Sequence, residues 1–345
     1  VLGTSALRPD GVAKVTGEFS FSSDMRAENM LWGATLRSPH PYARIKSIDT
    51  TKALLIAGVH AIITAEDVPG KLTYGLISSD QPVFAKDVVR YMGEPVAAVA
   101  ADHPETCRRA LAAIVVEYEV MTPLVDAELA ILPTTPPIHP DGNLIRHQRI
   151  IHGDSNATAE IIVEGNYTIG MQDQAFLGLE AAMAFPDPGA QGVELHIATQ
   201  WLHEDRGQIA ACLNLPENNV RLVLGGVGGA FGAREDISLQ VHCCLLALRT
   251  GRPIKMQYSR EESFFGHVHR HPATIWMRHH ANKSGKIVKI EARMVFDGGA
   301  YTSTSPAVLI NGITHTQGPY QCDNAVVDGY AVRTNNPPCG AMRGF

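Results

Sequence analysis

The chain has 345 residues, of which 45% are hydrophobic and 19% charged, enough to bury a sizeable core divided into about two domains. Lys plus Arg total 29 against 35 for Asp plus Glu, and the formal net charge of -6 gives no electrostatic footprint for nucleic acid or an anionic membrane. No apolar run approaches the roughly 20 residues of a membrane span, and 1–10 lacks the charged-then-apolar pattern of a signal peptide, so a cytoplasmic protein is expected.

Residues 11–128 alternate β-rich runs with helical patterns and read as a small α+β domain. Pro95-Val-Ala-Ala-Val-Ala-Ala101 is strand-like. A helix is expected directly after it, with Asp102 as N-cap, Pro104 just inside and Ala110, Leu111 and Ile114 on its apolar face, followed by a strand over 115–118. Four prolines within 131–142 deny helix and central strand, which makes 129–142 a linker. Beyond it come predicted strands at 161–169 and 193–199, a helix at 203–213, a strand at 220–224, a glycine-rich loop and a helix near 234–250. The remainder, 252–332, reads mostly as strand, with period-two runs at 273–278 and 287–296. The chain stops at Ala341-Met-Arg-Gly-Phe345 with no polar tail or capping signal, so the sequence is expected to continue.

The loop Gly225-Gly-Val-Gly-Gly-Ala-Phe-Gly-Ala-Arg-Glu235 places five glycines in its first eight residues. Glycine lets the backbone approach a ligand closely, and N–H groups at a following helix start favour anionic groups such as phosphates. The loop has no terminal Lys-Ser/Thr and no G-x-G-x-x-G frame, so it is not an ordinary nucleotide fingerprint. A ligand-free glycine turn is the plain alternative. Phe231 and Glu235 favour a ligand, because an aromatic face and a carboxylate beside a flexible cradle suit a planar, hydrogen-bonding substrate.

Four segments, Thr199-Gln-Trp-Leu-His203, Gly225–Glu235, Asp297-Gly-Gly-Ala-Tyr301 and Thr334–Phe345, resemble the molybdopterin-binding segments of xanthine dehydrogenases and their aldehyde-oxidase relatives, in the same order. Arg37-Ser-Pro-His-Pro-Tyr-Ala-Arg44 and Gly93-Glu-Pro-Val resemble the α/β hammerhead domain that precedes them in that family. The resemblance implies an α+β fold with a hammerhead domain over 11–128 and an incomplete molybdopterin-binding domain over 143–345. Its cofactor is the molybdenum–molybdopterin group, by family analogy in the cytosine dinucleotide form. It implies that Gln200 lies near the molybdenum's apical oxygen, that Gly228, Gly229, Ala230, Phe231 and Gly232 form the loop over the metal's first shell, and that Arg343 belongs to the second cofactor segment. Glu235 and Phe345 match the substrate-binding glutamate and the stacking aromatic of the xanthine enzymes. The implied reaction is oxidative hydroxylation of hypoxanthine or xanthine to urate with water as oxygen source. Electrons would leave through 2Fe-2S centres and FAD on partner subunits, usually to NAD. A related hydroxylase of an aldehyde or another N-heterocycle is the alternative, and a non-catalytic fragment or assembly module is the different-class alternative.

Two departures qualify this picture. Asn311 stands where the eukaryotic xanthine enzymes carry a substrate-orienting arginine, and the family's general-base glutamate, in a Gly-Val-Gly-Glu segment, has no match and is expected beyond residue 345. The six cysteines show no C-x-x-C spacing, so no iron–sulfur or structural zinc site of that kind is expected, and Cys243 and Cys244 should be buried in their helix. His267, His269 and His271 alternate along one predicted strand, where a polar face is the plainer reading and a metal site the sharper one. Glu261-Glu262 reads as a solvated turn, and Asp297 as a turn former.

Overall fold

The computed structural model describes residues 2–189 and 191–344. Its largest sheet has seven strands in the order Val220–Leu224, Gly192–Ile197, Ala181–Asp187, Ile254–Gln257, Leu31–Arg37, Pro95–Ala101 and Val59–Thr64. The central pairing is parallel, Leu31 opposite Ile254, and joins a strand from the front of the chain to one far beyond the proline-rich stretch. That stretch therefore divides the sequence without dividing the sheet; 131–142 itself carries neither helix nor strand. All seven residues of Pro95–Ala101 are buried. Its alanines and valines are small enough for Pro104–Ala113 to pack on one face and Gln240–Thr250 on the other, which is why the run is apolar throughout rather than alternating. Eight residues of Gln240–Thr250 are buried, Cys243 and Cys244 among them.

A second, five-stranded sheet, ordered Ile161–Ile169, Ala273–Ala281, Ile287–Asp297, Ala325–Val332 and Leu144–His152, carries the helix Ser305–Thr314 on one face. Leu309 and Ile313 of that helix pack with Met294, Val327 and Ala331.

Several expectations are corrected. The N-cap of Pro104–Ala113 is His103, whose Nδ1 accepts from Glu105 N at 3.1 Å, because the backbone of Asp102 is still paired to Gly58. The helix expected near 234–250 begins only at Gln240. Its side chain accepts from Ser238 N at 2.7 Å, and 231–239 is held in turns by the tertiary partners of Arg234 and Asp236. Within 252–332 two helices interrupt the strands. Arg260–Gly266 is capped by Ser259, whose Oγ accepts from Glu262 N at 3.0 Å, and Ser305–Thr314 carries a proline in its first turn. Glu262 is accordingly no solvated turn residue: it meets Arg37 Nε at 2.8 Å, and Arg37 also donates to Gly93 O at 2.9 Å. The two front segments Arg37–Arg44 and Gly93–Val96 thus meet each other and the rear half through one guanidinium.

Candidate cofactor site

The glycine loop leaves the strand Val220–Leu224 at the edge of the large sheet. Gly225 N donates to Ile197 O at 2.8 Å, and Gly178 N donates to Gly228 O at 2.9 Å. A Cβ on Gly228 would sit 2.8 Å from Gly178 Cα, and one on Gly229, at φ +104°, would sit 2.9 Å from Phe176 Cβ. The backbone then turns left-handed at Phe231 (φ 53°) and Gly232 (φ +102°). Here the final segment joins it: Arg343 N donates to Phe231 O at 2.7 Å, and Gln174 Nε2 donates to Ala341 O at 2.9 Å. Two of the four sequence segments are therefore in direct contact.

Gln200 is the third participant. Its Oε1 accepts from Gly232 N at 3.1 Å and from Arg234 N at 3.3 Å, while its backbone N–H donates to Arg234 O at 2.9 Å. Because only the amide oxygen can accept from backbone N–H groups, the Nε2 donors must point the other way, and the residue is exposed. Asp297, from the remaining segment, works as expected of a turn former: Oδ1 accepts from Gly299 N at 2.9 Å and from Thr334 Oγ1 at 2.7 Å, and so fixes the start of the final segment.

Among the described residues the N–H groups of Gly228, Gly229, Ala230 and Phe231 have no protein acceptor. They supply the anion-favouring donors assigned from sequence to a helix start, which lies too far along the chain to contribute. A cavity of about 250 Å³ borders this loop, lined by Phe21, Ser22, Gly178, Gly226, Gly228 and Arg234. Unpaired backbone donors and an amide with its donors outward fit a phosphate-bearing, oxo-bearing cofactor laid across the loop. Phe231 is 44% exposed, and Arg343, bonded to it through the backbone, is exposed as well. Phe345 lies outside the described residues.

Glu235 is half-buried, its side chain has no hydrogen-bond partner among the described residues, and burial raises its carboxyl pKa above the usual range. Asn311 is half-buried on Ser305–Thr314. Behind the loop stand residues that sequence reading missed. Arg234 is buried, donates to Gly178 O and to Ala198 O (3.3 Å), and stacks on Phe176, bracing the loop from beneath. Asp236 is buried and accepts from Ser303 Oγ at 3.0 Å; burial, with repulsion from Glu235 added to it, pushes its pKa up to about 7. Asp205, also buried, is pushed up by burial to about 6. The Arg234-Glu-Asp run was the available signal, since three charged residues directly after a glycine turn need partners.

These elevated carboxyl values carry a sign. A group whose folded pKa exceeds its unfolded value stabilises most below the unfolded pKa and loses that contribution as pH rises through the folded one. For Asp236 the window runs from the ordinary value of 3.8 to about 7. Asp236→Asn is thus expected to raise Tm at pH 8 more than at pH 5, measured by thermal unfolding; an equal effect at both would show that Asp236 is ionised throughout.

Two family models match the chain: the aldehyde oxidase and xanthine dehydrogenase a/b hammerhead domain over residues 16–122 and the molybdopterin cofactor-binding domain over 138–345. The chain is 37% identical over 344 residues to a probable xanthine dehydrogenase subunit from Bacillus subtilis (strain 168), covering 99% of this chain and 46% of that protein. It is 37% identical over 348 residues to the nicotinate dehydrogenase large molybdopterin subunit of Eubacterium barkeri, covering 100% of this chain and 82% of that one. The aldehyde oxidoreductase from Desulfovibrio gigas superposes with a TM-score of 0.94 at 26% identity, over 99% of this chain and 40% of its own. The chain thus spans about half or less of two of these proteins and most of the third.

Proposed function

Since the chain belongs to the aldehyde oxidase and xanthine dehydrogenase family, as a molybdopterin-binding chain of its molybdenum hydroxylases, we propose that it binds a purine and presents it for oxidative hydroxylation of xanthine or hypoxanthine. The observation that supports this most is the unpaired, half-buried Glu235 beside a cradle built to hold an oxo-bearing group. When bound, the molybdenum cofactor, for which we favour the cytosine dinucleotide form, supplies the two-electron oxidation and the water-derived oxygen.

The residues of this chain bind and orient. The N–H groups of Gly228–Phe231 and the outward Gln200 amide donate to the cofactor's oxygens, with Arg343 on the same face. Glu235 takes the purine's ring N–H, and the exposed Phe231 ring helps exclude water from the plane of the heterocycle. We assign proton abstraction to a glutamate outside these 345 residues, so that this chain by itself is inactive, and electron exit to partner subunits carrying 2Fe-2S and FAD. Among the described residues no helix is long and apolar enough to cross a membrane, and we place the assembly in the cytoplasm.

A second reading, hydroxylation of nicotinate, is favoured by the Eubacterium barkeri relative and by Asn311 in place of an arginine. The substrates differ at Glu235: a purine offers ring donors to a carboxylate, whereas an anionic carboxylate substrate is repelled unless Glu235 stays protonated. The test is to purify the subunit in its natural assembly and follow urate formation from xanthine against hydroxylation of nicotinate. Urate as the favoured product supports the purine reading. Nicotinate turnover without urate overturns it and leaves the cofactor assignment standing.

A further inference from the structure

The three histidines that alternate through 267–271 part company in the structure. His271 Nε2 meets Ser305 Oγ at 2.8 Å, whereas the rings of His267 and His269 stack 5.3 Å apart and both face Asp173. Asp173 Oδ2 lies 3.1 Å from His267 Nε2 and 3.4 Å from His269 Nε2, and the three residues offer ligand atoms all within 4.8 Å of one another. Nitrogen and oxygen ligands about 2.0–2.2 Å from a tetrahedral zinc stand about 3.3 Å from each other, and the two separations bracket that edge length.

The contacts are close but not hydrogen-bonded. His267 is buried, its side chain only 2% exposed, yet neither its Nε2 nor Asp173 Oδ2 has a partner with hydrogen-bond geometry. A cation between them would satisfy both. Glu180 Oε1 stands 2.9 Å from the other ring nitrogen, His267 Nδ1, again without hydrogen-bond geometry, at the place where a metal-bound imidazole keeps its orienting carboxylate. Likewise His269 Nδ1 faces Pro338 O at 3.4 Å. His269 Nε2 also donates to Phe264 O at 2.7 Å, a hydrogen bond it would have to give up, with its proton moving to Nδ1, to bind the cation. Asp173 remains 14% exposed, although its Oδ2 is buried.

We propose that Asp173, His267 and His269 form a binding site for a zinc-type divalent cation, with Glu180 orienting His267. Two imidazoles and one carboxylate suit a borderline cation better than magnesium or calcium, which prefer all-oxygen sites. The site's role is structural. Asp173 lies in the segment whose Phe176 and Gly178 pack on the glycine loop and whose Gln174 holds Ala341 of the final segment, and His269 exchanges backbone hydrogen bonds with Pro338 (3.1 Å) and Gly340 (2.9 Å) of that final segment. One ion would tie both walls of the cofactor cradle together. The competing occupant is a proton: burial opposes charge on His267, but Asp173 and Glu180 outweigh it and raise its pKa.

Crystals of the subunit in its natural assembly, grown with a zinc salt and measured on both sides of the zinc absorption edge, test this directly. An anomalous peak bonded to Asp173, His267 and His269 is expected, together with one tightly held zinc per chain by elemental analysis. Asp173→Asn and His267→Gln should each weaken zinc retention at least about tenfold, and Glu180→Gln by about 10- to 100-fold, whereas His60→Ala, on an exposed position, should change nothing. Should the variants not fold, His267→Cys serves instead, and the bound zinc should then show a Zn–S distance of about 2.3 Å. No peak at these residues with zinc in the crystal, or unchanged retention in folded Asp173→Asn and His267→Gln proteins, would overturn the proposal in favour of a protonated His267.

Discussion

Glu235→Ala in the assembled enzyme is expected to lower kcat/KM for xanthine on the order of 100-fold, about 2.7 kcal/mol of transition-state stabilisation, with molybdenum and pterin content unchanged. The reasoning is positional. Glu235 follows the loop that carries the free N–H groups, yet its side chain takes no part in holding that loop, which is braced by Gln200, Arg234 and Gly178. Removing its carboxyl therefore subtracts a substrate contact and leaves the cradle intact. Burial already raises the Glu235 pKa, so the kcat/KM profile should carry an ionisation above the usual carboxylate range that Glu235→Gln abolishes. Equal loss of turnover and of metal would instead place Glu235 in the cofactor-binding machinery.

Gly232→Ala should act in the opposite way, on cofactor retention first. At φ +102° an L side chain is strained, and its Cβ would lie 2.6 Å from Ala341 O, a backbone atom that cannot step aside. The strain and overpacking together cost about 2–4 kcal/mol. Relief would come by separating the glycine loop from the final segment, breaking the 2.7 Å bond from Arg343 N to Phe231 O and the hold of Gln200 on Gly232. Molybdenum per chain should fall at least about tenfold, with turnover per bound molybdenum reduced much less. Full metal content with slow turnover would show that this junction shapes the substrate pocket rather than the cofactor cradle.

What the sequence disclosed and what it concealed follow from where each signal lies. Local signals survived: Val220–Leu224 and Ile161–Ile169 are strands with the expected bounds, the glycine loop follows the former, and Asp297 makes its turn. Signals that depend on distant partners did not. The strand Leu31–Arg37 lies beside Ile254–Gln257, and nothing in either run names the other. The helix after the loop starts late because Arg234 and Asp236 are drawn into buried contacts with Ala198 and Ser303, far away in sequence. Ser305–Thr314 reads as strand in the sequence because its Val308, Leu309, Ile310 and Ile313 suit either structure, and only Pro306 marks the helix start. Ser259 and Glu262 hold a capping signal that the paired glutamates obscure. The three histidines look equivalent in the sequence; in the structure His271 meets Ser305 and the other two face Asp173.

Gln200, the loop Gly228–Gly232 and the segment ending at Arg343 would together hold the molybdenum cofactor. Diffraction from the assembled, metal-replete enzyme on both sides of the molybdenum absorption edge tests this most directly. A single anomalous peak per chain is expected beside the Gln200 amide and the Phe231 ring, with pterin density running along the N–H groups of Gly228–Phe231. A molybdenum peak on any other face of the chain, with that loop bare, would contradict it.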